Sequence, residues 1–191
     1  AMMHSKGLPQ AVGVARHGDF NGVTRLLDVA GGSGCFCIAL ALRYPEMHFT
    51  VLELPSVCEL TAQYIADYGL QDQIDTYAAD MFNDPLPSGF DAVFFSDIFH
   101  DWGRERCLQL AQRSYEMLPS GGRIYLHEAL LEDTKDGPLF ATTLSLRMVV
   151  ATQGKQFTAG ELDDLLSETG FQDIRVTSTA VYHSLISATK P

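Results

Sequence analysis

Apolar positions along this chain alternate between two patterns. Short apolar runs read as buried strands: Val23 to Val29, Met47 to Leu52, Ile74 to Ala79, Ala92 to Ser96 and Arg123 to Glu128. Between them, apolar residues recur at helical spacing, as in Cys35, Ile38, Ala39 and Leu42, or Leu108, Ala111, Tyr115 and Leu118. Pro55 suits the first turn of a helix running to about Tyr68, and Leu139 to Ala151 reads as another. Thr158 and Glu161 form a capping-box pattern that opens a helix ended by Gly170. Ile174–Thr177 and Tyr182–Ala188 follow with no helix between them, which predicts an antiparallel hairpin. Ahead of the first strand, Met2, Met3, Leu8, Val12 and Val14 form a possible helix face that needs cover. Strand–helix alternation predicts an α/β fold with a mostly parallel sheet.

Composition narrows the function. Lys and Arg total 13 against 24 Asp and Glu, a formal net charge of −11. The basic residues are scattered, so neither nucleic acid nor an anionic membrane surface is an expected partner. No apolar run approaches the length of a membrane span. Cys35, Cys37, Cys58 and Cys107 form no Cys-x-x-Cys pair, which argues against a zinc site. Thiols in a chain of this size suit a reducing compartment, and a cytoplasmic location is the expectation.

In open α/β sheets, ligands bind beyond the carboxyl ends of the strands. Three features of this chain end strands. The loop Asp28-Val29-Ala30-Gly31-Gly32-Ser33-Gly34 can turn tightly against a ligand. Glu53 is placed to accept from two ribose hydroxyls, and Asp80 from an exocyclic amine, with Met81 and Phe82 to pack on a purine. A nucleoside-containing cofactor follows. A dinucleotide fingerprint would need glycine where Cys37 stands. The acid Asp28 beside the loop favours a ligand with a cationic amino-acid group, S-adenosylmethionine.

These motifs resemble the catalytic domain of the small-molecule O-methyltransferases, the family of the caffeic acid, acetylserotonin and bacterial polyketide enzymes. The likeness rests on Leu26 to Gly34, Glu53-Leu54-Pro55, Asp80-Met81-Phe82, His100-Asp101-Trp102 with Cys107, Pro119 to Gly122, and Gly170-Phe171. It implies a Rossmann-like class I methyltransferase fold, with helices on both faces of a seven-stranded sheet. Ala30, Gly31 and Gly32 would face the methionine part of the cofactor, Glu53 and Leu54 the ribose, and Asp80, Met81 and Phe82 the adenine. Asp28 and Ser96 would complete that site. His100 would be the general base, oriented by Glu128 and a second group. Gln156 stands at that second position, where the family carries an acid. Asp101, Trp102 and Met148 would shape the site of a small-molecule acceptor. The product would be S-adenosylhomocysteine, and no metal is implied. Ala30 in place of a loop glycine, and Ser96 in place of a common lysine, read as backbone-tolerant variation.

Family members also carry an N-terminal winged-helix domain that dimerises and closes the partner's acceptor pocket. Residues 1–22 resemble the hinge before the catalytic domain, which would span residues 23–191. With Ala1 ahead of Met2, the expectation is an excised catalytic domain of a longer, homodimeric protein, with weak activity alone. Three alternatives accompany the O-methyltransferase reading: an N- or C-methyltransferase of the same family, a non-catalytic cofactor-binding module, and a nucleotide-dependent dehydrogenase. Histidines 4, 17, 48, 127 and 183 have no comparable sequence context.

Overall fold

The computed structural model describes residues 2–179 and 182–191, and side chains from residue 7 onward. The chain runs α1 (Met2–His17), β1 (Arg25–Val29), α2 (Cys35–Arg43), β2 (His48–Glu53), α3 (Pro55–Asp67), β3 (Ile74–Ala78), β4 (Ala92–Ser96), a 3₁₀ turn (Phe99–Asp101), α4 (Arg104–Met117), β5 (Arg123–Glu128), α5 (Leu139–Ala151), α6 (Ala159–Glu168), β6 (Gln172–Ser178) and β7 (Ser184–Thr189). One seven-stranded sheet has the order β3-β2-β1-β4-β5-β7-β6. The first five strands in that order are parallel, and β7 is antiparallel to both β5 and β6. The class I methyltransferase fold expected from the sequence is therefore present. Chain order reverses between β1 and β4, so the connections leaving these strands diverge and open a crevice at their carboxyl ends.

Alternation along the strands divides the core between two faces. Leu26, Phe49, Val51, Phe94 and Tyr125 point toward α1 and α2, whereas Leu27, Leu52, Val93, Phe95 and Leu126 point toward α4 and α6. The helix expected near the start is present, and Ala11, Val14 and Ala15 form its buried face against α2. Val12 lies outside that face and is exposed; Met2 and Met3 fall outside the described side chains.

Two helical stripes differ from expectation. Sandwiched between sheet and α1, α2 is buried all round from Cys35 to Ala41, and Leu42, beyond that cover, is 67% exposed. In α4 the deepest residues are Cys107, Leu110, Ala111 and Ser114, so the stripe is rotated from the one predicted. The strand ends shift too. Val23 and Met47 close turns onto Phe20 and Tyr44 before β1 and β2 begin. The hairpin pairs Gln172–Ser178 with Ser184–Thr189. The capping box forms as predicted: Glu161 N donates to Thr158 Oγ1 and Thr158 N to Glu161 Oε2, both at 3.1 Å.

Candidate active site

The ends of β1, β2 and β3 converge on a cavity of about 240 Å³, lined by Ala30, Leu52, Glu53, Leu54, Ala79, Asp80, Met81, Phe82 and Trp102. Below it lies Asp28, fully buried between the β2 and β4 backbones. Its Oδ2 accepts from the Cys37 thiol at 3.4 Å, and its Oδ1 is buried with no partner among the described residues. Burial drives the carboxyl up to about 7, with the Cys37 hydrogen bond opposing and the Glu53 charge assisting. A Cβ at position 31 would collide with this carboxylate, so only glycine lets the loop close over Asp28. Ala30 has a φ of +56°, in the left-handed region that costs a residue with a Cβ about 1–2 kcal/mol. The substitution there is thus not the indifferent one expected from the sequence.

Glu53 is fixed by the backbone it faces. Its Oε1 accepts from Gly32 N at 3.0 Å and its Oε2 from Leu54 N at 2.9 Å, leaving further lone pairs on both oxygens. Thr61, which sequence reasoning missed, ties the glycine loop to α3 through Gly32 O at 2.5 Å. Asp80 Oδ1 accepts from Phe82 N and Oδ2 from the Asn83 amide, which holds its carboxyl below the usual range. Trp102 stands edge-on to Phe82 at 4.8 Å, in the wall of this cavity. The sequence had placed Trp102 beside the acceptor.

This set fits S-adenosylmethionine. A buried carboxylate oxygen without a partner suits a cationic group. An anchored glutamate suits vicinal hydroxyls, and Met81, Phe82 and Trp102 suit a flat ring.

His100 lies in the 3₁₀ turn just past β4 and is 7% exposed. Gly154 seats that turn: a Cβ there would strike the carbonyl oxygen of His100 and stand 2.6 Å from Trp102 N. The imidazole Nδ1 is 2.7 Å from Glu128 Oε2. Burial raises the Glu128 carboxyl, and the His100 hydrogen bond and charge oppose that rise; once ionised it only accepts, so Nδ1 then carries the donated proton and neutral His100 keeps its lone pair on Nε2. Asp97 Oδ1 is 3.8 Å from Nδ1, and Asp101 Oδ1 is 3.7 Å from Nε2. Burial alone would lower this imidazole; the Glu128 hydrogen bond and the three negative charges prevail and lift it to about 9. One atom each from Asp97, His100 and Glu128 lies within 4.8 Å of the others. The Nδ1–Oε2 contact in that group is a hydrogen bond in its geometry.

Other expected residues stand differently. Gln156 is buried, its backbone N donates to Ser145 Oγ, and both polar atoms of its amide lack a partner among the described residues. No hydrogen bond joins it to His100. Met148 is buried on α5, the helix that packs against the turn bearing His100. Ser96 does not line the cavity, and its Oγ lies 2.9 Å from His127 Nδ1.

That last contact opens a second polar cluster, which the sequence did not signal. His127 Nε2 lies 3.1 Å from Thr179 Oγ1, and this hydroxyl donates to His183 O. The His127 and His183 rings stack at 5.0 Å. Burial, with the His183 charge behind it, pushes His127 down to about 3, so it is neutral. His183 Nε2 reaches Asp97 Oδ1 at 3.1 Å. An acid at a strand end, like Glu53 and Asp80, was the one sequence cue to Asp97.

Comparison with known proteins agrees with this geometry. Residues 2–172 match the family described as the O-methyltransferase domain. A 3-hydroxy-5-methyl-1-naphthoate 3-O-methyltransferase of Streptomyces sahachiroi is 41% identical over 85% of this chain and 47% of its own length. An L-tyrosine C(3)-methyltransferase of Streptomyces lavendulae is 33% identical over 80% of this chain and 42% of its own. The crystal structure of human N-acetylserotonin methyltransferase with S-adenosylmethionine superposes with a TM-score of 0.89 at 30% identity, covering 98% of this chain and 53% of that one. The chain thus spans about half the length of the curated relatives it matches. Among the described residues no helix is long and apolar enough to cross a membrane. The fold, the strand-end cavity and the match over most of its length together show that the chain belongs to the S-adenosylmethionine-dependent O-methyltransferase family.

Proposed function

We propose that this chain carries the catalytic centre of an enzyme that transfers a methyl group to a hydroxyl of a small aromatic acceptor, with His100 as general base. The observation that carries the reading is the 2.7 Å bond from His100 Nδ1 to buried Glu128, which leaves Nε2 to take a proton. Bound in the strand-end cavity, S-adenosylmethionine supplies an electrophilic methyl group. Asp28 and Glu53 hold the amino and ribose ends, and Asp80, Met81, Phe82 and Trp102 enclose the ring. The acceptor hydroxyl would take the methyl group, the sulfur–methyl bond breaking to leave S-adenosylhomocysteine, as its proton passes to His100 Nε2. A phenol has a pKa of about 10, and a base lifted to about 9 is nearly matched to it. Activity should therefore rise with pH until His100 is neutral.

A hydroxylated bicyclic aromatic carboxylate, the acceptor class named for the Streptomyces sahachiroi relative, is the acceptor we propose. On α5, Leu139, Leu146, Val149 and Val150 are exposed. They support an acceptor pocket completed by further protein, as in a homodimer of a longer chain. Methylation at carbon is the second reading, favoured by the L-tyrosine C(3)-methyltransferase relative and by an amide at Gln156.

The first test is calorimetric titration with S-adenosylhomocysteine near pH 7, in buffers of different ionisation heat. Binding should release protons, because a cationic group beside Asp28 lowers a carboxyl that otherwise titrates near 7. Asp28→Asn should bind about tenfold more weakly, the loss of one charge-assisted contact, and without that release. A folded chain that ignores the ligand would sink the reading. Locating the new methyl by NMR after turnover separates oxygen from carbon.

A further inference from the structure

We infer that Asp97 is a positioning residue for His100: with Glu128 it holds the imidazole from the Nδ1 side, and His183 in turn holds Asp97. The inference rests on His100 being the base. Three observations carry it. Asp97 Oδ1 stands 3.8 Å from His100 Nδ1, on the side already faced by Glu128. The same oxygen accepts from His183 Nε2 at 3.1 Å, so a residue of the C-terminal hairpin fixes the carboxylate in place. The backbone of Asp97 has a φ of +54°, a conformation uncommon outside glycine, with Asn and Asp the more tolerant exceptions. Its amide is anchored to His127 O at 3.0 Å. Strain of this kind persists where the surroundings over-determine it.

The geometry also explains how the site manages with glutamine at position 156. That amide is buried, uncharged and not bonded to His100. Asp97 supplies, on the Nδ1 side beside Glu128, a second carboxylate within reach of the imidazolium. Burial raises its carboxyl, but the His183 hydrogen bond and charge, with the His100 charge, keep it below the usual range and thus ionised.

The charged and titratable groups around His100 are Glu128 from β5, Asp97 and Asp101 from its own segment, Arg147 of α5 facing Asp101, and His183 facing Asp97. The Cys107 thiol of α4, beside Glu128, is pushed up to about 12 and stays neutral.

The test is the titration of His100 followed by NMR in histidine-labelled protein, with His100→Ala to assign its signal. Asp97→Asn and Asp97→Gly both remove the charge, and both residues tolerate a positive φ. Each should lower the His100 midpoint by about one pH unit, the lower end expected for losing an opposite charge within about 4–6 Å. In methyl transfer the rising limb of the pH profile should move to lower pH by the same amount, with cofactor affinity unchanged. An unmoved midpoint in folded variants overturns the inference. Retained transfer in His100→Ala would instead overturn the general-base reading and leave the titration result standing.

Discussion

The pocket around His100 and the pocket around His127 adjoin at the carboxyl edge of the sheet, and Ser96, the β4 partner of His127, lies four residues before His100. Both rings are buried, at 7% and 0% exposure. Burial by itself lowers both. One nevertheless rises to about 9 and the other falls to about 3. The difference lies in the partners. His100 faces three carboxylates, which stabilise its charged form. His127 is flanked by two hydroxyls, with His183 stacked on its ring, and the charge of Asp97, which favours the charged form, does not outweigh burial and the His183 charge. Neighbours, more than depth, decide whether a buried histidine serves as a base or as a strut.

The largest break in this comparison is His100→Ala. It should lower kcat by about 10²–10⁴-fold, the usual weight of a general base, while leaving S-adenosylhomocysteine affinity intact. Single-turnover transfer read beside calorimetry checks both halves. A loss of cofactor binding would mean that the ring holds the cavity together.

Glu128→Gln is the next step down. It keeps a hydrogen-bonding group at Nδ1 but removes the charge, a difference of about 1.5–3 kcal/mol for a bond to an ionised group. The expected kcat loss is about 10–100-fold, with the rising limb of the pH profile displaced to lower pH. A variant as active as the parent, with an unmoved profile, would detach Glu128 from the reaction.

The two pockets also differ in how far the sequence exposes them. The cofactor side was legible because each residue follows a strand within one short local pattern: the glycine loop, Glu53-Leu54-Pro55, and Asp80-Met81-Phe82. His100 and Glu128 end adjacent parallel strands, so their meeting follows from the sheet order. Asp97 and His183 meet only because β7 inserts antiparallel against β5, pairing Glu128 with Ser184 and bringing His183 to the strand ends. No local spacing encodes a contact between residues 86 positions apart. Where Trp102 stands depends on how the 3₁₀ turn is seated by Gly154. The rotated stripe of α4 and the exposure of Leu42 likewise depend on which elements cover which faces.

His127→Leu sharpens the comparison from the structural side. It leaves the hydroxyls of Ser96 and Thr179 without their ring partner, a cost of about 1–3 kcal/mol in a buried setting. Denaturant unfolding should register that loss, while kcat stays within a few-fold of the parent. A large fall in kcat at unchanged stability would move His127 into the reaction.

The pH dependence of stability is the most discriminating readout, because the two histidines should tilt it in opposite directions. His100 is raised from 6.5 to about 9 on folding. Its contribution is complete below pH 6.5 and is lost as pH climbs through about 9. His127 is depressed from 6.5 to about 3. Below pH 6.5 the unfolded chain takes up a proton that the folded chain refuses, so stability falls as pH drops toward 3. Melting temperature followed against pH should thus decline at both ends. His100→Ala should flatten the alkaline decline and leave the acid one, and His127→Leu should do the reverse. If both variants flattened the same limb, the two rings would share one electrostatic environment, and the contrast between carboxylate and hydroxyl partners would not be what separates them.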